Sequence, residues 1–200
     1  ERYAKLFHNA ETYVNSIMDK IENLGLLKNS IILILSDHGT SVGEKIGERA
    51  YGAFCYDYTL KTFAYLYNPD ISPKIISSQV RHIDFMPTIL EMLDIPINTS
   101  FESLDGKSLV PLINGQNISE EFAFSETGNP LNEKEPPKIP NTKSIRNSKW
   151  KLIRNEHNDT KELYDLENDP NEENNLIGKF LEVEEKLSKE LSKYTRKYEN

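Results

Sequence analysis

Ile31-Ile32-Leu33-Ile34-Leu35-Ser36-Asp37-His38-Gly39 is the most informative stretch of this 200-residue chain. Five consecutive apolar residues, three of them β-branched, stop at four small or polar ones. A strand wetted on one face alternates apolar and polar residues. A short run apolar on both faces reads instead as a central strand of a helix-covered parallel sheet. Upstream, Tyr13, Val14, Ile17, Met18, Ile21 and Leu24 recur at the spacing of an amphipathic helix, and Gly25 follows as a left-handed cap. Helix, tight turn, buried strand and polar loop make one unit of an α/β domain.

Downstream, residues 40–60 lack periodicity and read as an ordered loop at the strand's exit. Residues 62–67 (Thr-Phe-Ala-Tyr-Leu-Tyr) form the next expected strand, closed by Asn68-Pro69-Asp70. Asp84 stands as an N-cap with Pro87 in the first turn, which predicts a helix over 84–94. The texture changes near residue 115. Residues 121–125 alternate and could be a half-buried strand, and 128–143, with four prolines, read as an exposed loop. Residues 150–154 and 162–166 flank a polar segment and predict an antiparallel hairpin, and 176–198 predict a last helix. The expected domains are therefore an α/β piece over 1–115 and a small α+β subdomain over 116–200.

The chain carries 24 Lys+Arg against 32 Asp+Glu, a net charge of -8. That balance argues against nucleic acid as a partner, since phosphate backbones are bound by basic faces. No stretch reaches the length of a membrane span. Cys55, the single cysteine, excludes an internal disulfide and a cysteine zinc cage, and reads as a small buried hydrophobe. Trp150, Tyr164 and Leu166 read as core, 167–175 as a solvated acidic loop, and His8, His82 and His157 as structural or surface residues. Asn98, Asn117 and Asn158 begin glycosylation sequons.

Chemistry is expected at Asp37-His38, because sites in open α/β sheets form outside the C-terminal ends of the strands. A carboxylate beside an imidazole offers oxygen and nitrogen ligands to a divalent cation. The alternative is a capped turn with a surface histidine. The neighbouring motifs bear on this choice. Asn29 to Gly39 with Gly43-Glu44, Asp84-Phe85-Met86-Pro87-Thr88-Ile89-Leu90, Asp105-Gly106-Lys107-Ser108-Leu109, Trp150-Lys151-Leu152-Ile153, and the run from Glu162-Leu163-Tyr164-Asp165-Leu166 to Asp169-Pro170-Asn171-Glu172 follow one another in order. Together they resemble the sulfatases of the alkaline-phosphatase superfamily.

The resemblance implies an α/β/α sandwich with a mostly parallel sheet, followed by a small antiparallel sheet packed with a C-terminal helix. It implies hydrolysis of a sulfate ester, on a small molecule or a glycan. It also implies one divalent cation, Ca2+ foremost and Mg2+ or Mn2+ as alternatives, held in part by Asp37 and His38. Family members attack with a formylglycine made in a C/S-x-P-x-R motif, and no such motif occurs in these residues. The paired N-terminal aspartates of the family also lack a counterpart before Asp37. The chain is thus expected to be a C-terminal portion, inactive alone, with an open sheet edge and exposed apolar faces. The family's anion-binding Lys or His has no clean match either, and Arg49 and Lys45 are the available cations. Relatives acting on phosphodiesters, phosphonate monoesters or phosphoglycerol share the Asp/His pair and remain open as the activity, as does a non-catalytic remnant.

Overall fold

A computed structural model describes residues 2–48, 51–97, 104–130, 135 and 137–198. They form two compact units, one of residues 1–37 and 62–74, the other of residues 38–61 and 75–200. The position expected as a domain boundary, near 116, lies within the second unit.

In the first unit, α1 spans Arg2–Asn23. It ends as Gly25 turns left-handed at φ 69, while the Leu26 N–H reaches back to the Ile21 carbonyl at 3.1 Å, the Schellman closure that a glycine at this position permits. Val14, Met18 and Ile21 are half-buried, whereas Tyr13 and Ile17 from the same predicted stripe are exposed. Strand β1 (Ile32–Leu35) pairs antiparallel with β2 (Ala64–Tyr67), in the register Ile32↔Tyr67 to Leu35↔Ala64. The expected parallel neighbours of β1 are not among the described strands. Ser36 prolongs the ladder, its N–H donating to the Phe63 carbonyl at 3.2 Å.

The second unit is built on a four-stranded antiparallel sheet: β3 (Ala123–Thr127), β4 (Thr142–Arg146), β5 (Trp150–Asn155) and β6 (Thr160–Asp165), paired in that order. Alternation along the strands makes two cores. Ile145, Leu152 and Leu163 meet Leu187 and Leu191 of α5 (Leu181–Tyr198) on one face. Ile153, Tyr164 and Leu166 meet Tyr56 on the other. Phe124 stacks on Tyr194 at 5.3 Å, and Trp150 leans on Phe180 at 5.1 Å.

Two elements differ from expectation. Strand β4, Thr-Lys-Ser-Ile-Arg, has no apolar pattern, yet its first four residues are buried. Its backbone completes ladders on both sides, and Lys143 finds Glu156 at 3.3 Å. Helix α5 starts at Leu181 rather than 176. The Leu176 N–H is engaged by the Leu163 carbonyl at 2.8 Å, and Gly178 takes φ 79, which a continuing helix forbids.

Two pairs of sequence motifs prove to be contacts. The helix α3 (Phe85–Met92) is entered through a short 3-10 turn, His82–Asp84. Asp84, expected as a cap of α3, instead accepts from the Arg81 N–H at 2.9 Å and guanidinium at 2.7 Å, and from the Lys107 N–H at 3.0 Å. Thr88 accepts the Leu109 N–H at 2.8 Å, just before α4 (Val110–Ile113). A Cβ on Gly106 would lie 1.8 Å from the Ile83 carbonyl oxygen, so only glycine permits this docking.

The second pair joins Trp150-Lys151 to Asp169-Pro170-Asn171-Glu172. The loop over 167–175 is mostly exposed as expected, but Glu172 within it is 1% exposed, and Lys151 is fully buried. The Lys151 ammonium sits 2.7 Å from Glu172 Oε1 and 2.8 Å from Asp57 Oδ1. Arg146 bonds the other oxygen of Asp57, and Glu172 Oε2 accepts the Asp57 N–H at 2.6 Å. Two cations and two carboxylates neutralise one another out of water, the condition under which buried charges persist. Burial works to raise the Asp57 carboxyl, but Lys151 and Arg146 outweigh it and hold it below the usual range. For Glu172 burial prevails over Lys151 and pushes the carboxyl up.

Truncating Leu187 to Ala should cost about 2–5 kcal/mol in urea unfolding by emptying the sheet–helix core. Asp57→Asn should cost about 3 kcal/mol at pH 7 by leaving Lys151 and Arg146 under-neutralised. Asp57 has a depressed folded pKa, so its contribution is complete above the unfolded value of about 4 and fades as pH falls through the folded one. The gap between wild type and Asp57→Asn should therefore narrow in unfolding curves taken progressively below pH ~4. Glu172, shifted upward, is common to both proteins and works in the opposite sense.

Candidate functional site

The exit of β1 places Asp37 as the last residue of the first unit and His38 as the first of the second, both exposed. His38 Nδ1 lies 2.5 Å from the Gly39 carbonyl oxygen. A carbonyl only accepts, so Nδ1 carries the hydrogen of this contact. The ring meets Tyr51 edge-on at 5.6 Å.

Behind His38, the chain packs on the short helix α2 (Asp57–Leu60). The Gly39 N–H donates to the Thr59 carbonyl at 2.8 Å. A Cβ on Gly39 would stand 2.2 Å from the Tyr58 carbonyl oxygen, and one on Gly52 would stand 2.9 Å from Thr59 Oγ1. Both glycines are thus required by close approach to one helix. Each directly follows a ring of the His38–Tyr51 pair. Cys55 is 1% exposed, as expected of a buried hydrophobe, and its thiol is pushed up to about 12 by burial.

The two cations expected near a substrate anion fare differently. Arg49 lies outside the described residues. The Lys45 ammonium bonds the Glu172 carbonyl oxygen and stands 4.8 Å from the centre of the Tyr56 ring and 5.9 Å from that of Tyr164, a cation–π setting. The Tyr56 and Tyr164 hydroxyls both donate to Glu162 Oε2, at 2.6 and 2.5 Å. Burial and then the Glu162 carboxylate raise both phenols. Glu44 closes the preceding turn, accepting from the Val42 N–H at 2.8 Å and the Ser41 hydroxyl at 3.1 Å.

Among the described residues no three His, Cys, Asp or Glu side chains gather as a metal site. A cleft of about 490 Å³ lies elsewhere in the second unit, between Arg81, Asp84, Lys107, Leu109, Glu121 and Ser148. Arg81 is paired with Asp84 and Lys107 with Glu121. His8 pairs with Glu11 on α1, and the His82 ring rests against Phe85 at 5.9 Å. No helix of the described residues is long and apolar enough to cross a membrane.

The residues that sequence reasoning missed are Asp57, Lys151 and Glu172. The signal available was positional. Lys151 sits on the inward phase of a strand between Trp150 and Leu152-Ile153, and Glu172 ends a turn motif, but nothing local ties either to Asp57.

Comparison with known proteins places this geometry. Residues 52–197 match the family model of N-sulphoglucosamine sulphohydrolase, C-terminal, and residues 1–95 match the sulfatase model. The choline-sulfatase of Rhizobium meliloti (strain 1021) is 28% identical over 167 residues, covering 82% of this chain and 30% of that protein. Arylsulfatase K of Bos taurus is 27% identical over 195 residues, covering 94% and 35%. The chain therefore spans about a third of the length of these curated relatives. Among solved structures, BT4656 in complex with its substrate D-glucosamine-2-N,6-O-disulfate superposes with a TM-score of 0.71 at 23% identity, over 93% of this chain and 38% of that one. The phosphonate monoester hydrolase of Agrobacterium radiobacter superposes with a TM-score of 0.73 at 19% identity, over 93% and 39%. These likenesses show the α/β fold anticipated from the motifs. Both family matches agree: the chain belongs to the sulfatase family and carries its C-terminal portion, with the N-sulphoglucosamine sulphohydrolase C-terminal region.

Proposed function

We propose that this chain is the C-terminal portion of a metal-dependent sulfatase that hydrolyses a sulfate ester on a small molecule or glycan. The observation that carries the reading is the pair of family matches, which together run from residue 1 to residue 197 and include Ser36-Asp37-His38-Gly39. The names of the relatives, choline-sulfatase and arylsulfatase K, support the same reaction.

Within it, Asp37 and His38 are ligands to one divalent cation. The donor set fits such an ion: a carboxylate oxygen, and an imidazole whose Nδ1 is oriented by the Gly39 carbonyl. Ca2+ is the first expectation, with Mg2+ and Mn2+ as alternatives. When bound, the cation supplies Lewis-acid stabilisation of the charge on the transferring group. The chain's own part is to orient: the close contacts of Gly39 and Gly52 with α2 fix the turn that carries His38, and Tyr51 braces its ring. Arg49 is proposed to contact the sulfate through its forked guanidinium. Lys45, engaged by Glu172 and Tyr56, is the weaker candidate for that contact. The nucleophile, a formylglycine from a C/S-x-P-x-R motif, is supplied by a region with no counterpart in these residues, so the chain alone turns over nothing.

A second reading, hydrolysis of a phosphonate monoester, is supported by the superposition on the Agrobacterium radiobacter enzyme. The sequence motifs favour the sulfate.

In the complete polypeptide, Asp37→Asn or His38→Ala should lower hydrolysis of an aryl sulfate by at least about 100-fold, and chelation should do the same reversibly. Steady-state rates on an aryl sulfate and an aryl phosphonate, each with Ca2+, Mg2+ or Mn2+ restored, check this. Retention of full activity by both variants would remove the two residues from the metal site, and a faster phosphonate reaction would install the second reading.

A further inference from the structure

We propose that the buried cluster of Asp57, Lys151 and Glu172 is the positioning device for His38. It fixes the short helix α2, and α2 in turn fixes the His38-Gly39 turn. The inference rests on the reading of His38 as a metal ligand and adds residues that this reading does not contain.

Helix α2 is four residues long, too short to hold its place by its own hydrogen bonds. Its first residue is held three ways. The Asp57 carboxylate takes Lys151 at 2.8 Å and Arg146 through its other oxygen, and the Asp57 N–H donates to Glu172 at 2.6 Å. Lys151 and Arg146 belong to strands β5 and β4, so α2 is pinned to the rigid sheet. Arg146 is itself oriented by Gln79, whose side-chain oxygen accepts its Nε–H at 2.9 Å.

The outer side of α2 is the seat for the site. Thr59 is 2% exposed, and its hydroxyl donates to the Tyr56 carbonyl at 3.0 Å. Its carbonyl accepts the Gly39 N–H, and its side chain is approached by Gly52 so closely that a Cβ would collide. One residue therefore sets the height of both glycines, and with them the edge-on His38–Tyr51 pair at 5.6 Å. Glycine contacts without a Cβ leave no slack to absorb a shift of the helix. A displaced α2 moves the imidazole, and a metal ligand tolerates little displacement.

None of the three cluster residues touches His38, so they are positioning residues. A purely stabilising cluster would change the melting temperature and nothing at His38. The test separates these roles. The variant Asp57→Asn/Arg146→Met/Lys151→Met/Glu172→Gln removes both cations and both carboxylates together at nearly constant volume, a replacement that buried ion clusters often survive. Near-UV circular dichroism of Trp150 reports whether the sheet core is intact.

In the folded variant the Gly39 amide should exchange with solvent at least about tenfold faster, while amides of the β5–β6 ladder keep their protection. The His38 imidazole resonances, assigned through their loss in His38→Gln, should also move. Unchanged Gly39 exchange and unchanged His38 resonances in the folded variant overturn the proposal. Should the variant not fold, the unmodified chain is read in low urea. Gly39 and Asp57 amides exchanging through one shared opening support the coupling, and Gly39 opening while Asp57 stays protected refutes it. Titration of the complete polypeptide with CaCl2, followed at the same His38 resonances, addresses the underlying reading. A half-saturation raised about tenfold in the variant joins the two claims. No response of His38 in the unmodified polypeptide sinks the metal assignment, while the exchange result still decides the positioning one.

Discussion

A lysine ammonium with no access to water cannot stay charged without partners, and Lys151 has two carboxylates within 2.8 Å. Removing such a charge from water costs several kcal/mol, repaid only by close oppositely charged groups with their own hydrogen bonds. Asp57 supplies one from 94 residues away in sequence, and Glu172 supplies the other from the turn that follows β6. The consequence is geometric as much as energetic. Strand β5, the turn ending at Glu172 and helix α2 must all arrive at one point, or Lys151 is left uncompensated. The rest of the second unit, including the tyrosine and Lys45 layer above Glu172, is arranged around that requirement.

The family motifs gain a physical meaning from these contacts. Asp84 and Thr88 of one motif accept backbone N–H groups from Lys107 and Leu109 of another, and Gly106 is there because the Ile83 carbonyl leaves no room for a Cβ. Trp150-Lys151 and Asp169-Pro170-Asn171-Glu172 are likewise two halves of one buried interaction. Asp169 holds its own turn by accepting from the Asn174 N–H at 2.8 Å and the Glu173 N–H at 3.0 Å. This explains how an acidic stretch that is otherwise mostly exposed comes to bury Glu172. Each motif looks weak in isolation because its partner is elsewhere in the chain.

In the proposal above, His38 takes its position from this scaffold. His38 lies on a loop, and loops carry function only when something rigid positions them. Here the rigid element is α2, seated on the sheet through Asp57, with Gly39 and Gly52 allowing backbone to approach backbone. In the proposed relay, His38 lies at the far end of a chain of contacts that begins in the small C-terminal sheet.

Much of this was legible in the residues. The apolar run at Ile31–Leu35, the stop at Ser36-Asp37-His38-Gly39, the Gly25 cap, the β5–β6 hairpin and the family likeness all rest on local periodicity or on short ordered motifs. Such signals are carried by neighbours in sequence, and the proposal of Asp37 and His38 as ligands rests on them. The polar strand β4 was not legible, because Thr142-Lys143-Ser144 has no period and is buried only by the two ladders that flank it. Nor was the antiparallel partner of β1, since an apolar run says that a strand is covered and not in which sense it pairs. The burial of Lys151 and Glu172 was hidden for the same reason. A charge is read as solvated until its counter-charge is located, and Asp57 reaches both residues only through the folded chain.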